Sequence, residues 1–282
     1  MQPILEIEGL SKRYKDFSLD NVSFSLPAGC IMGFIGENGA GKSTTIKLIL
    51  GLIQKDAGRV RLFGKEGYLD EKAAFEQIGV VLDETGLHDT LTIKDCNAIL
   101  SRLYRTWKPD AFREYCARFS LPEKKQLKEF SSGMKRKLSI ATALSHDSRL
   151  LLLDEATSGL DPIVRDELLD VFLEFIEDER HAILLSSHIL SDLEKACDYI
   201  AFLHKGRLLF CEQKDLLLER YCVLKCDEAQ LRQVDPTRIH GIRRNKFGAE
   251  ALVERAAAPR GSLTDAAGIE DIMLFLSRGE KQ

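Results

Sequence analysis

One nine-residue run restricts what this chain can fold into more than any other feature. Gly36 to Thr44 reads Gly-Glu-Asn-Gly-Ala-Gly-Lys-Ser-Thr, with Gly36, Gly41, Lys42 and Ser43 in phosphate-loop register. The apolar stretch Ile31 to Ile35 precedes it and has the character of a buried strand. Thr44 to Leu52 follows, with apolar residues at Ile46, Leu48, Ile49, Leu50 and Leu52 that predict a helix. Strand, glycine loop and helix in that order let backbone N–H groups point at phosphate oxygens, while the helix aims its partial positive end at them. Asn38, Gly39, Ala40 and Thr44 complete the expected cradle. Lys42 is placed to reach β- and γ-phosphates as a point charge, and the Ser43 hydroxyl to ligate Mg²⁺.

A phosphate loop alone serves kinases, GTPases and helicases alike, so the second half of the chain has to narrow the choice. Leu150 to Leu153 is a four-leucine run ending in Asp154-Glu155. An Asp at a buried strand tip can hold Mg²⁺ through water, and the Glu after it can polarise a water that attacks a γ-phosphate. That pairing favours hydrolysis of a nucleoside triphosphate over transfer to another substrate. Upstream, Phe130-Ser131-Ser132-Gly133-Met134 leads into a helical pattern over 135–145. Two hydroxyls and a glycine are helix-capping residues, so by itself this segment reads as an N-cap.

The remaining pattern organises these motifs. Residues 1–30 alternate apolar and polar (Ile4, Glu6, Glu8, then Val22, Phe24, Leu26) with a turn at Pro27-Ala28-Gly29, predicting antiparallel strands. Further strands are expected over 58–63, 78–82, 150–153, 182–185 and 200–203, and an amphipathic helix over 162–179. Strands alternating with helices imply a mostly parallel sheet. Between them, Ile93, Cys96, Ile99, Leu100 and Leu103, then Phe112, Tyr115, Cys116 and Phe119, recur at helical spacing. This predicts an inserted helical subdomain over about 88–145. Beyond about 211 the pattern is less regular. Strands are expected over 221–225 and 241–254 with a turn at 245–248, then a linker over 256–260 and a terminal helix over 269–276.

Composition excludes several classes. Forty basic and 44 acidic residues leave a net charge of −4, so no nucleic-acid partner is expected. No apolar run approaches the roughly 20 residues that span a bilayer. The first residues, with Glu6 and Glu8, do not form a signal peptide. Seven scattered cysteines predict free thiols in a reducing compartment.

Taken in order, these motifs resemble the ATP-binding cassette (ABC) ATPases over about residues 3–210. Gly36 to Thr44 matches Walker A, and Leu150 to Glu155 matches Walker B. Ser131-Ser132-Gly133-Met134 is similar to the signature, whose commoner form is Ser-Gly-Gly-Gln. Ser158 to Asp161 matches the D-loop, and His188, after Ser186-Ser187, the switch histidine. Tyr14 stands where the family stacks an aromatic on adenine. Asp83 falls where the family usually carries a glutamine that touches Mg²⁺ and water. The expected fold is therefore α/β: a P-loop NTPase (RecA-like) core, an antiparallel β subdomain, the inserted helical subdomain and a small α+β C-terminal extension over 211–282.

The resemblance implies an ATPase using ATP and Mg²⁺. Glu155, His188 and Lys42 would be catalytic, and Ser43, Asp83 and Asp154 would face the metal. Tyr14, the Walker A residues, Ser131, Ser132, Gly133, Met134 and Asp161 would face nucleotide. One cassette holds half of each site, so a second cassette is implied, with homodimer and heterodimer both open. Cassettes of this kind sit on the cytoplasmic face of the membrane through transmembrane permease subunits. The terminal segment Ile269 to Leu276 is similar to the endings of exporter-type cassettes. An importer-type subunit and a non-transport cassette are the alternative expectations.

Overall fold

The computed structural model describes residues 3–67, 72–82, 86–246 and 248–279. These form two compact units, 1–211 and 212–282.

The first unit opens with an antiparallel sheet. β1 (Leu5–Arg13), β2 (Ser18–Leu26) and β4 (Ala57–Leu62) lie in the order β2-β1-β4, with Ile7 opposite both Phe24 and Val60. The inward residues of β1 are Leu5, Ile7 and Leu10, a change of phase explained by a register shift after Ile7. Gly9 sits there with φ 61°, and a Cβ on the facing Gly58 would lie 2.4 Å from the Gly9 carbonyl oxygen, so the two backbones touch.

The second sheet has six strands. β5 (Ile78–Val81), β6 (Leu150–Asp154), β7 (Ala182–Ser187), β3 (Cys30–Ile35), β8 (Tyr199–His204) and β9 (Arg207–Gln213) follow one another in that spatial order. Pairs β5–β6, β6–β7, β7–β3 and β3–β8 are parallel. Every residue of β6 and β7 is buried. Burial on both faces is why these strands read as continuous apolar runs rather than as alternation.

Helices α1 (Lys42–Ile49), α6 (Pro162–Ile176) and α7 (Leu190–Ala196) belong to this core, with the short α2 (Lys72–Phe75) before β5. α1 begins two residues before the expected Thr44 and stops at Ile49. Its N-cap is Gly41, at φ 113°, so the glycine loop turns directly into the first helical turn. α6 also ends early, at Ile176 rather than 179.

The inserted helices are α3 (Ile93–Leu103), α4 (Pro109–Arg118) and α5 (Ser132–Leu144). α3 starts on a capping box in which Thr92 and Asp95 satisfy each other's backbone N–H. α4 starts with Pro109 at its first position, where a missing N–H costs nothing. α5 packs against both α4 and β5, joining the insertion to the core.

The second unit has α8 (Lys214–Arg220), β10 (Tyr221–Cys226), α9 (Glu228–Leu231), β11 (Ile239–Asn245), β12 (Gly248–Glu254), β13 (Leu263–Ala266) and α10 (Ile269–Gly279). Its antiparallel sheet has the order β11-β12-β10-β13. The residues expected to form a linker after 255 instead begin with a 3-10 turn over Arg255–Ala257. Cys222, Leu224, Ala251 and Val253 are among its core residues.

Candidate functional site

The parallel sheet assembles the site. β6, β7 and β3 are immediate neighbours, and their register sets Asp154 beside Ser186 and Ile35 beside Ser187. The loops that leave these strands carry Glu155, His188 and the glycine run, so residues about 120 and 150 positions apart in sequence meet at one sheet edge. Carboxyl ends of parallel strands are where such sheets bind ligands.

Lys42 is the hub. It is buried, donates through Nζ to the Gly36 carbonyl oxygen at 2.7 Å, and lies 3.4 Å from Glu155 Oε1. The other Glu155 oxygen, Oε2, is 2.6 Å from His188 Nδ1. Gly36 is required sterically, because a Cβ there would lie 2.3 Å from the Leu203 carbonyl oxygen. Gly41 has no side chain to cap α1, so the first-turn N–H groups of this helix have no side-chain cap. Thr45 turns inward instead and bonds the Gly41 carbonyl oxygen.

Asp154 is buried and accepts from Ser186 Oγ at 2.7 Å. Ser186 also meets the Glu155 N–H through its own carbonyl oxygen (3.1 Å) and hydroxyl (3.2 Å). Glu155 has φ 51°, a left-handed conformation uncommon for a residue with a Cβ. Ser43 and Asp154 are hard oxygen donors, the set that suits Mg²⁺. Among the described residues no group of three or more His, Cys, Asp or Glu could hold a metal alone. Asp83 lies outside the described residues.

The signature segment heads α5. Ser131 is its N-cap and accepts from the Met134 N–H at 3.2 Å. Ser132, Gly133 and Met134 form the first helical turn. A Cβ on Gly133 would lie 3.0 Å from Leu160 Cδ2, so this helix head rests against the segment that follows Glu155. The next residue, Lys135, binds Asp89 at 2.7 Å and holds its carboxyl below the usual carboxylate range. Asp161 caps α6, accepting from the Val164 N–H at 3.0 Å. Tyr14 is 44% exposed, stacks on Phe17 beside the β1–β2 turn, and has Lys12 Nζ 5.8 Å from its ring centroid.

Two residues of this site carry no motif. Ser186 was visible only as the lead-in to His188. Arg136 lies within the helical pattern over 135–145, and its Nη1 donates to the Glu155 carbonyl oxygen and lies 3.4 Å from that of Asp154. No one-dimensional signal marks either, because their partners at Asp154 and Glu155 come beside them only in the folded chain.

A parallel sheet with a glycine loop after β3 and a carboxylate pair after β6 defines a P-loop nucleoside triphosphatase. Residues 19–158 match the ABC transporter family, and the chain belongs to it as an ATP-hydrolysing cassette. It is 36% identical over 212 residues to a bacitracin transport ATP-binding protein of Bacillus licheniformis, covering 74% of this chain and 69% of that one. A lantibiotic transport ATP-binding protein of Streptococcus pyogenes is 34% identical, over 75% of this chain and 92% of its own. Among solved structures, an ATP-binding subunit of an ABC transporter superposes with a TM-score of 0.69 at 30% identity, covering 76% of this chain and 91% of that one. A dimeric cassette bound to ADP and phosphate shares the fold at 21% identity and a TM-score of 0.66, over 74% and 98%.

Proposed function

We propose that this chain powers export through a separate membrane permease, acting as one of two cassettes that close on ATP. The observation that carries the reading is the convergence of Lys42 and His188 on the two oxygens of Glu155. ATP lies along Gly36 to Thr44, its adenine against Tyr14 and its β- and γ-phosphates on Lys42. Ser43 and Asp154 would hold Mg²⁺, which would supply charge neutralisation at those phosphates. Glu155 orients a water toward the γ-phosphorus and takes its proton as ADP leaves. His188 fixes the Glu155 carboxylate and faces the same phosphate. Asp83 replaces the usual glutamine toward the metal; unchanged ATPase rate and Mg²⁺ dependence in Asp83→Gln would overturn that assignment.

Ser131 to Gly133 supply a second helix start with hydroxyl donors, suited to a phosphate that this chain's own loop does not hold. The ATP it covers therefore belongs to a second copy or to a related cassette, and Asp161 lies at the same seam. Relatives named for bacitracin and lantibiotic transport, and a linearmycin resistance protein of Bacillus subtilis, support the outward direction. No helix among the described residues is long and apolar enough to cross a membrane. The permease is assigned to docking on the helical insertion, which would hold the chain at the cytoplasmic face. Recovery of a tagged chain from membranes should bring down a polytopic permease in stoichiometric amount. Recovery without one would sink the transport reading and leave the ATPase reading standing.

A further inference from the structure

We propose that Arg136 is a positioning residue for the Glu155 carboxylate; the role rests on the reading of Glu155 as the group that activates water. Three consecutive cations follow the signature on α5, and they part company. Lys135 goes to Asp89, and Lys137 reaches the Phe119 carbonyl oxygen at 3.4 Å with Glu167 at 3.8 Å. Arg136 alone of the three turns under the strand end, where its Nη1 donates to the Glu155 carbonyl oxygen and approaches that of Asp154 at 3.4 Å.

That carbonyl belongs to a residue in a conformation that needs support. Side chains with a Cβ crowd the following carbonyl oxygen when φ is positive, and Glu155 sits at φ 51°. On its N-terminal side the peptide is fixed to β7, through the Ser186 carbonyl oxygen and hydroxyl. On its C-terminal side the Glu155 carbonyl oxygen accepts from the Ser158 N–H at 3.1 Å and from Arg136. The left-handed turn breaks the strand's alternation, and in that setting Glu155 Oε1 meets Lys42 and Oε2 meets His188. Removing the guanidinium leaves one neutral donor to hold the turn. The carboxylate then samples other directions while the Walker A cradle keeps its own contacts.

The test uses the full chain with Arg136→Gln, Arg136→Lys and Arg136→Met, and Glu155→Gln as reference. Steady-state ATPase gives kcat and KM, and titration with a fluorescent ATP analogue gives Kd. A charge-assisted hydrogen bond that positions the reacting group predicts a fall in kcat of about tenfold or more in the Gln and Met variants. KM and Kd should rise by no more than about twofold, and the kcat of the Lys variant, which keeps a charged donor, should fall between. A melting curve is recorded for each, the Met variant carrying the test if the Gln variant does not fold. Wild-type kcat in the Gln or Met variant overturns the proposal. So does a loss of kcat matched by an equal loss of ATP affinity, or a Lys variant as impaired as Gln. Glu155→Gln at wild-type turnover would instead sink the reading of Glu155 itself. An inactive Glu155→Gln beside a fully active Arg136→Gln would sink the positioning role alone.

Discussion

Replacing Glu155 by Gln should tighten ATP binding while it slows hydrolysis, and the structure sets the size of both effects. Glu155 Oε1 lies 3.4 Å from Lys42 Nζ, and the two side chains are only 18% and 6% exposed. At an effective dielectric of about 20, two unit charges at that separation attract by about 5 kcal/mol. An incoming γ-phosphate has to draw the lysine away from this carboxylate. The amide still offers an oxygen acceptor, and Lys42 keeps its bond to the Gly36 carbonyl oxygen, so most of that figure is retained. A net gain of about 1–2 kcal/mol remains, or roughly 5–30-fold in Kd. Loss of the base should lower kcat by about 10²–10⁴-fold. A fluorescent ATP analogue and a phosphate-release assay measure the two quantities. In a Lys42→Ala background the affinity gain should vanish, since the competing pair is already gone. If Glu155→Gln binds ATP no more tightly than wild type, the carboxylate does not compete for the lysine and this reasoning fails.

Three other outcomes follow from particular contacts. A Cβ on Gly79 would lie 2.4 Å from Leu151 Cδ2 and 2.7 Å from the Ala143 carbonyl oxygen, so Gly79→Ala should cost about 1–3 kcal/mol and lower the melting temperature by several degrees; an unshifted melt would show that α5 and β5 part easily. Buried His146 donates through Nδ1 to the Glu76 carbonyl oxygen at 2.9 Å and stacks on Tyr104, and burial pushes its pKa down. The unfolded imidazole takes a proton below about pH 6.5 and the folded one resists it, so stability should fall as pH drops through that range. Urea unfolding at about pH 7.5 and 5.5 should show a smaller acid loss in His146→Phe than in wild type, and an equal loss refutes the assignment. Burial also pushes the Cys96 and Cys116 thiols up to about 11 and about 12, so neither should react with a thiol reagent at about pH 8 until the chain is unfolded; rapid labelling of either in the folded chain would contradict this.

Much of the fold was legible because its strongest signals are local. Buried parallel strands show as apolar runs, and the insertion shows as helical spacing, with Thr92 and Pro109 marking the starts of its first two helices. Boundaries were less legible. The start of α1 at Lys42 depends on the left-handed Gly41, and α1 and α6 stop at Ile49 and Ile176, short of their expected ends. β9, β13, α7, α8 and α9 escaped the pattern because they are short or half-exposed, with burial set by neighbours rather than by their own periodicity.

By itself the sequence determined which chemical groups this protein has and in what order: the glycine cradle, Lys42, the Asp154–Glu155 pair, the helix start at Ser131 and His188. These are covalent facts, and their spacing along the chain is what makes the resemblance to the ABC ATPases specific. Only the tertiary structure decided that Glu155 stands between Lys42 and His188, that Ser186 bonds both Asp154 and the Glu155 backbone, and that Arg136 reaches under the same turn. The reason is the parallel sheet. It places β6, β7 and β3 side by side through backbone hydrogen bonds that carry no residue-type signature. The contact of Lys42 with Glu155, more than a hundred residues apart, and those of Glu155 with His188 and Ser186, 33 and 31 apart, therefore exist only once that pairing has formed.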